Sequence, residues 1–254
     1  MIHIKSDEEV ELMRQTCALA AEVLLMIEPY VKPGVTTNKL DQICHDYIIE
    51  HGATPSPLNY RGFPKSICAS INEEICHGIP SDRTLRNGDV VNLDITTYLN
   101  GYHGDTSRTF FVGSPRKRTS RLVEVCRDAL GLGIEQVKPG ARLGDIGATI
   151  QQFVEKHDYT VVREFCGHGI GKNFHEEPQV LHYGRFGEGL ELKKNMIFTI
   201  EPMVNEGKPD LRILADKWTA VTQDGSTSVQ FEHTIHVTET GYDVLTRLDG
   251  RTPF

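Results

Sequence analysis

The chain has 254 residues, of which 39% are hydrophobic and 24% charged, which is an ordinary globular composition and enough chain to bury a sizeable core. The formal net charge of −8 argues against a broad basic surface for nucleic-acid binding. The six cysteines form no C-x-x-C pair, which predicts reduced thiols and a cytoplasmic location. The N-terminus is charged from the fifth residue on, which predicts no secretory signal and no membrane contact.

Apolar residues at three- and four-residue steps predict four helices. Ser6 followed by Glu9 forms a capping-box signal, and the helix after it should end before Pro29. Further helices are predicted over residues 37–51, where Gly52 is the stop signal, and over residues 122–137 and 144–157. Residues 53–64 are predicted to be a loop. Strands are predicted over residues 66–71, 90–96, 106–112, 161–165, 196–201, 218–221 and 231–237.

The sequence contains an internal repeat. The tetrapeptide Val-Lys-Pro-Gly at residues 31–34 recurs at 137–140, and the turn and strand at 85–94 align with 192–201 at nearly the same offset. The second alignment ends in an acid in both copies, Asp94 and Glu201. We therefore expect two similar halves, each with two helices beside an antiparallel sheet, in one domain that spans residues 1–254.

Four strands each carry a carboxylate among small polar residues, on the face opposite their apolar side chains: Asp94, Asp105, Glu201 and Glu232. Each acid could lie on the solvent-exposed face of a sheet, but their number and the repeat argue for convergence. Converging buried carboxylates repel one another and protonate unless cations balance them. No Lys or Arg lies on these faces, so we expect two divalent ions, with manganese, iron or cobalt favoured and zinc possible.

Three histidines lie in turns rich in glycine, where the backbone and a ligand can approach closely. They are His77 in the segment 76–80, His168 in the segment 166–171 and His175, which begins His-Glu-Glu-Pro. The other histidines are expected to be structural. In particular, His103 and His233 are predicted to point away from the neighbouring acids.

These motifs resemble those of the type I methionine aminopeptidases. The matching segments are residues 65–68, 72–73, 76–80, 92–94, 104–106, 166–171, 175–178, 199–203 and 232–234, in the order of the family. The resemblance implies an α/β (α+β) pita-bread fold, with a pseudo-twofold antiparallel sheet flanked by helices. It also implies a single catalytic domain without a separate N-terminal domain.

The resemblance further implies a set of metal ligands. Asp94 would hold one divalent ion, His168 and Glu201 the other, and Asp105 and Glu232 would bridge both. The ions would be two of Co, Mn, Fe or Zn. Some family members also hold a monovalent cation, which here would lie near Asn72, Glu74 and Ser228.

The implied reaction is removal of the initiator methionine from nascent polypeptides with a small second residue, by a hydroxide activated between two metals. Glu201 would transfer protons, and His77 and His175 would bind substrate and stabilise charge. The methionine pocket would be lined by Tyr60, Phe63, Cys68, Phe174 and Trp218. Pro57 stands where some bacterial members carry cysteine, so the rim of this pocket should differ.

Two other functions remain open. A proline-directed aminopeptidase or dipeptidase of the same fold would share all five ligands, but usually carries a separate N-terminal domain. A non-catalytic peptide-binding module would be expected to lose ligands. We expect a monomer that contacts the ribosome transiently, with Lys208, Arg212 and Lys217 supplying the contact unless they form only a solvated loop.

Overall fold

The computed structural model describes residues 2–248 and contains four α-helices: α1 (Asp7–Ile27), α2 (Thr37–Glu50), α3 (Lys117–Ile134) and α4 (Leu143–Lys156). The capping box is formed, because Ser6 Oγ accepts the Glu9 N–H at 3.2 Å and the Glu9 carboxylate accepts the Ser6 N–H at 2.8 Å. The predicted helices are confirmed, although α3 begins five residues earlier than expected. None of the helices in residues 2–248 is long and apolar enough to cross a membrane.

Within residues 2–248, fifteen strands form four antiparallel sheets. The longest hairpin pairs β4 (Val90–Leu99) with β5 (Tyr102–Phe111) and turns at Asn100 and Gly101, both at positive φ. The strands are β1 (Thr54–Pro55), β2 (Cys68–Ile71), β3 (Glu74–Cys76), β4 (Val90–Leu99), β5 (Tyr102–Phe111), β6 (Thr160–Val161), β7 (Gly167–Gly169), β8 (Glu176–Val180), β9 (Ile197–Ile200), β10 (Met203–Asn205), β11 (Leu211–Ile213), β12 (Ala220–Thr222), β13 (Ser228–Gln230), β14 (His233–Val237) and β15 (Tyr242–Val244).

The internal repeat of the sequence recurs in the backbone hydrogen bonds. The Gly34 N–H donates to the Leu85 carbonyl at 2.9 Å, and the Gly140 N–H donates to the Leu192 carbonyl at the same distance. Both glycines have φ near +90°, which explains why each copy of the tetrapeptide ends in glycine. In one half, α1 and α2 cover the apolar face of β2 and β4; in the other, α3 and α4 cover β9 and β14.

The six cysteines carry free thiols, as their spacing predicted. Five of them are buried and one, Cys166, is partly exposed. They act as small apolar residues inside the packed halves, since burial raises the pKa of thiols such as Cys44 and Cys126 and keeps them protonated.

Helix α1 contacts β5 at Gly104 so closely that no side chain fits. A Cβ atom at this position would lie 2.5 Å from the backbone nitrogen of Cys17. We expect Gly104→Ala to lower the free energy of unfolding by about 2–3 kcal/mol, because two backbones would have to separate. The control is Gly131→Ala in α3, where an added Cβ atom would meet no atom of the described residues within 4 Å apart from its own helix backbone and chain neighbours. This variant should be neutral or stabilising by about 1 kcal/mol. Urea denaturation followed by circular dichroism measures both, and equal midpoints would contradict this account.

Candidate metal centre and active site

The acid-bearing strands meet at one cavity of about 600 Å³. In the β4–β5 hairpin, Thr96 pairs with Asp105, so alternation directs Asp94 and Asp105 to the same face. The Glu232 N–H donates to the Ser107 carbonyl at 3.0 Å, which brings Glu232 beside β5. Glu201 follows the last residue of β9. All four predicted carboxylates therefore line the cavity.

Three of the predicted ligands form a compact cluster. One ligand atom each from Asp105, His168 and Glu232 lie within 4.8 Å of one another. Nε2 of His168 also lies 3.7 Å from the Glu201 carboxylate and 3.8 Å from the Asp105 carboxylate. Asp94 lines the same cavity beside them. The structure thus brings the five predicted ligands to one place.

The cluster has too little positive charge for its acids. Asp105 and Glu232 are only 4% and 2% exposed, and burial together with repulsion from neighbouring carboxylates raises their pKa well above the usual range. Burial also raises the pKa of Asp94 and Glu201. Within residues 2–248, the only Lys, Arg or His nitrogen within 4.0 Å of these four carboxylates belongs to His168.

The donor set fits a divalent cation. The Asp94 Oδ1 atom is buried, and it has no hydrogen-bond partner in the described part of the chain. Burial lowers the pKa of His168 to about 4, so its imidazole is neutral; Nδ1 lies 2.9 Å from the Gly169 carbonyl and can donate to it. That tautomer presents the Nε2 lone pair to the carboxylates, as a histidine ligand does. Carboxylate oxygens with one imidazole suit manganese, iron, cobalt or zinc.

Side chains that the sequence analysis did not single out hold the carboxylates in place. Thr96 donates to Asp105 at 2.7 Å, and Thr199 donates to Glu201 at 2.8 Å. Gln230 donates to the other Glu201 oxygen at 3.2 Å. Strand alternation could have identified the two threonines, because each lies two residues from an acid. Gln230 could not be found in that way, because its hydrogen bond crosses between separate parts of the chain.

The two predicted substrate-binding histidines both line the cavity. The His175 ring lies 4.2 Å from the His168 ring, centroid to centroid, at an angle of 38°, and the His175 Nδ1 atom lies 3.1 Å from the Tyr60 hydroxyl. His77 is edge-on to Trp218 at 6.2 Å, and burial lowers the pKa of its imidazole. Burial also lowers the pKa of His175 to about 3, so both imidazoles line the cavity as neutral groups.

The cavity has an aromatic wall. Phe63 and Trp218 meet edge to face at 5.2 Å, and Tyr60 and Phe174 lie 5.0 Å apart. Cys68 and Pro57 complete the lining predicted from sequence, so all the predicted pocket positions surround one space. The cavity is also lined by residues that the sequence analysis did not identify, among them Arg61, Phe165, Gln179 and Met203.

The prediction for His103 was wrong. The structure stacks its ring on Phe174 at 5.5 Å, with 12° between the planes, and brings its Nδ1 to 2.8 Å from the Ser56 hydroxyl. His103 and Asp105 are two residues apart on β5, so alternation already placed them on one face. His233, in contrast, lies 2.7 Å from the Thr246 hydroxyl and lines a separate cavity, as predicted.

The residues predicted near a monovalent cation lie close together. The Ser228 N–H donates to the Asn72 carbonyl at 2.8 Å, and β13, which carries Ser228, lies against β3, which carries Glu74. Glu74 forms an ion pair with Arg83 at 2.7 Å. A cation site at these residues stays a prediction.

Comparison with known proteins gives consistent matches. Residues 11–239 match metallopeptidase family M24. The chain is 54% identical to the methionine aminopeptidase of Escherichia coli (strain K12), over 99% of this chain and 97% of that protein. The crystal structure of methionine aminopeptidase from Rickettsia prowazekii is 53% identical, with a TM-score of 0.96 over 97% of this chain and 100% of that one. Prolidase from Pyrococcus furiosus shares the fold alone, at 23% identity and a TM-score of 0.76 over 97% of this chain and 66% of that one.

Proposed function

The chain belongs to metallopeptidase family M24, and from that premise we propose that it removes the N-terminal methionine from newly made polypeptides in a metal-dependent hydrolysis. The observation that carries this proposal is a likeness to methionine aminopeptidases of more than 50% identity over nearly the whole chain. The buried acid cluster at the centre of the fold supports it. The pita-bread fold expected from the sequence is confirmed by the same structural matches.

We propose that Asp94, Asp105, His168, Glu201 and Glu232 hold two divalent ions. When bound, such ions supply positive charge that acidifies the attacking water and polarises the scissile carbonyl. The proposal is supported by the deficit of positive charge around the acids and by the unpartnered oxygen of Asp94. Cobalt, manganese, iron and zinc all suit this donor set.

The chain's own residues would carry the proton transfers. Glu201 takes the proton of the attacking water and delivers it to the leaving nitrogen. Thr199 and Gln230 each donate to one of its carboxylate oxygens and so hold the carboxylate in position. Neutral His175, oriented by Tyr60, donates a hydrogen bond where negative charge develops. His77, between Trp218 and Phe165, contacts the second residue of the substrate.

The aromatic wall would select the methionine side chain. A thioether packs favourably against ring edges, and the edge-to-face rings of Phe63 and Trp218 offer such a surface. Pro57 contributes a rigid apolar rim. We propose that the second residue of the substrate is small.

We propose that the chain is organised as one unit. The repeated hydrogen bonds support one catalytic domain of two similar halves. A monomeric state, a cytoplasmic location and transient ribosome contact at the exposed Lys208, Arg212 and Lys217 stay predictions. Co-sedimentation with ribosomes before and after charge reversal at these three positions measures the last of them, and unchanged co-sedimentation would dismiss it.

A peptide assay with controlled metal content tests the proposed function. Protein treated with a chelator should not cleave Met-Ala-Ser, and added Co²⁺ or Mn²⁺ should restore turnover, because the acids need cations to stay ionised together. We expect Met-Ala-Ser to exceed an X-Pro peptide by about 100-fold in kcat/KM. The reverse preference would identify a proline-directed enzyme, and metal-free protein that takes up no metal and cleaves neither peptide would identify a binding module.

A further inference from the structure

A second cavity, of about 580 Å³, opens next to the candidate active site. Glu177 and Gln179 line both cavities, so the two are continuous along β8. The apolar part of its lining includes Leu181 and Leu190, each 37% exposed, together with Leu143. We call this second cavity the β8 groove.

Side-chain alternation along β8 forms a strip that leads out of the active site. His175, Glu177, Gln179 and Leu181 are exposed, whereas Pro178 and Val180 between them are buried. The strip consists of strand β8 with one residue beyond each end, His175 and Leu181. In its sheet, β8 is the terminal strand, so its outer edge faces no other strand of that sheet.

The wall of the β8 groove is held in place by helix α4. Asp145 accepts the Gly187 N–H at 2.7 Å, and Gln151 accepts the Gly184 N–H at 3.1 Å. The Arg142 side chain donates to the Gly189 carbonyl at 2.8 Å. The segment that carries Leu181 and Leu190 is therefore ordered before any ligand arrives, which lowers the cost of binding there.

We propose that the β8 groove binds the substrate polypeptide beyond its second residue. This inference rests on the proposed function, because an aminopeptidase holds residue one inside its cavity and the rest of the chain must leave past the mouth. His175 lies at that mouth, where the strip begins. The strip ends in the β8 groove, and Leu181 and Leu190 in that groove are the only exposed leucines along this path among residues 2–248. The leucines offer non-directional apolar contact, which suits substrates whose sequences differ beyond the N-terminus, and Glu177, Arg185 and Glu188 line the same groove.

Peptide length gives a direct test. In the unchanged protein, a decapeptide that begins Met-Ala-Ser and carries apolar residues at positions four to eight should have a kcat/KM about tenfold above that of Met-Ala-Ser. Leu181→Asp and Leu190→Asp should raise KM for the decapeptide about tenfold with unchanged kcat, and should leave tripeptide kinetics unaltered. Phe186→Asp is the matched control: Phe186 is 53% exposed on the same segment but outside the groove, so both peptides should be unaffected.

The outcomes separate the inference from the proposed function. If the unchanged protein cleaves neither peptide, the proposed function fails. If it cleaves both with equal kcat/KM, or if the leucine variants affect both peptides equally, the groove is not a subsite. Tripeptide turnover reports whether each variant is folded, and Leu181→Ser serves where aspartate prevents folding. If the unchanged protein is a dimer and Leu181→Asp is a monomer with unchanged decapeptide kinetics, this face is a contact between two copies of the chain. That result would overturn the proposal.

Discussion

The variant His168→Ala should lose nearly all turnover of Met-Ala-Ser while staying folded. Among the described residues, His168 supplies the only imidazole within 4 Å of the clustered acids, where it lies close to two carboxylates. Without it the cluster keeps its acids but loses a neutral nitrogen ligand, so cation affinity should fall and the acids should take up protons. We expect kcat/KM to fall by about three orders of magnitude, or about 4 kcal/mol of transition-state stabilisation.

Metal content measured by mass spectrometry after dialysis, alongside initial rates, checks this result. We expect about two divalent ions per chain in the unchanged protein and fewer in the variant. His51→Ala is the matched control, because His51 is an exposed histidine at the end of α2 and bonds only to its own helix within the described residues. Retained metal-dependent turnover in His168→Ala would refute the assignment of this ligand.

The strand positions of the acids could be predicted because alternation is a local property. Asp94 and Glu201 end aligned segments of the repeat, and their apolar neighbours fix which face is buried. The same rule, applied to His103 two residues before Asp105, would have placed that imidazole on the active-site side. The error was to assign His103 to the strand face opposite Asp105. The stacking of His103 on Phe174 corrects that assignment.

The short strands β7 and β8 could not be predicted, because their sequences lack the apolar alternation that marks a strand. Gly167 and Gly169 in β7 are required by packing: a Cβ atom at either would lie within about 2.3 Å of a carbonyl oxygen on a neighbouring strand. Only the tertiary structure reveals this close approach. The pairing of β7 with β9 and β8, which brings His168 over the acids, was likewise invisible from periodicity.

Replacement of His175 by alanine should separate catalysis from metal binding. His175 touches the His168 ring at 4.2 Å but is not among the ligand atoms that cluster with Asp105 and Glu232. Its loss should therefore leave both ions bound and remove one hydrogen-bond donor from the developing charge. We expect kcat to fall by about 100- to 1,000-fold, the usual cost of losing such a donor, with a smaller change in KM.

Tyr60→Phe provides the graded comparison for this histidine. It removes only the hydroxyl that lies 3.1 Å from the His175 Nδ1 atom and keeps the ring packed against Phe174. If the hydroxyl orients the imidazole, kcat should fall by about tenfold, well short of the effect of His175→Ala, with metal content unchanged in both variants. A normal kcat in His175→Ala would remove this residue from the mechanism, and loss of metal from that variant would instead make it part of the metal centre.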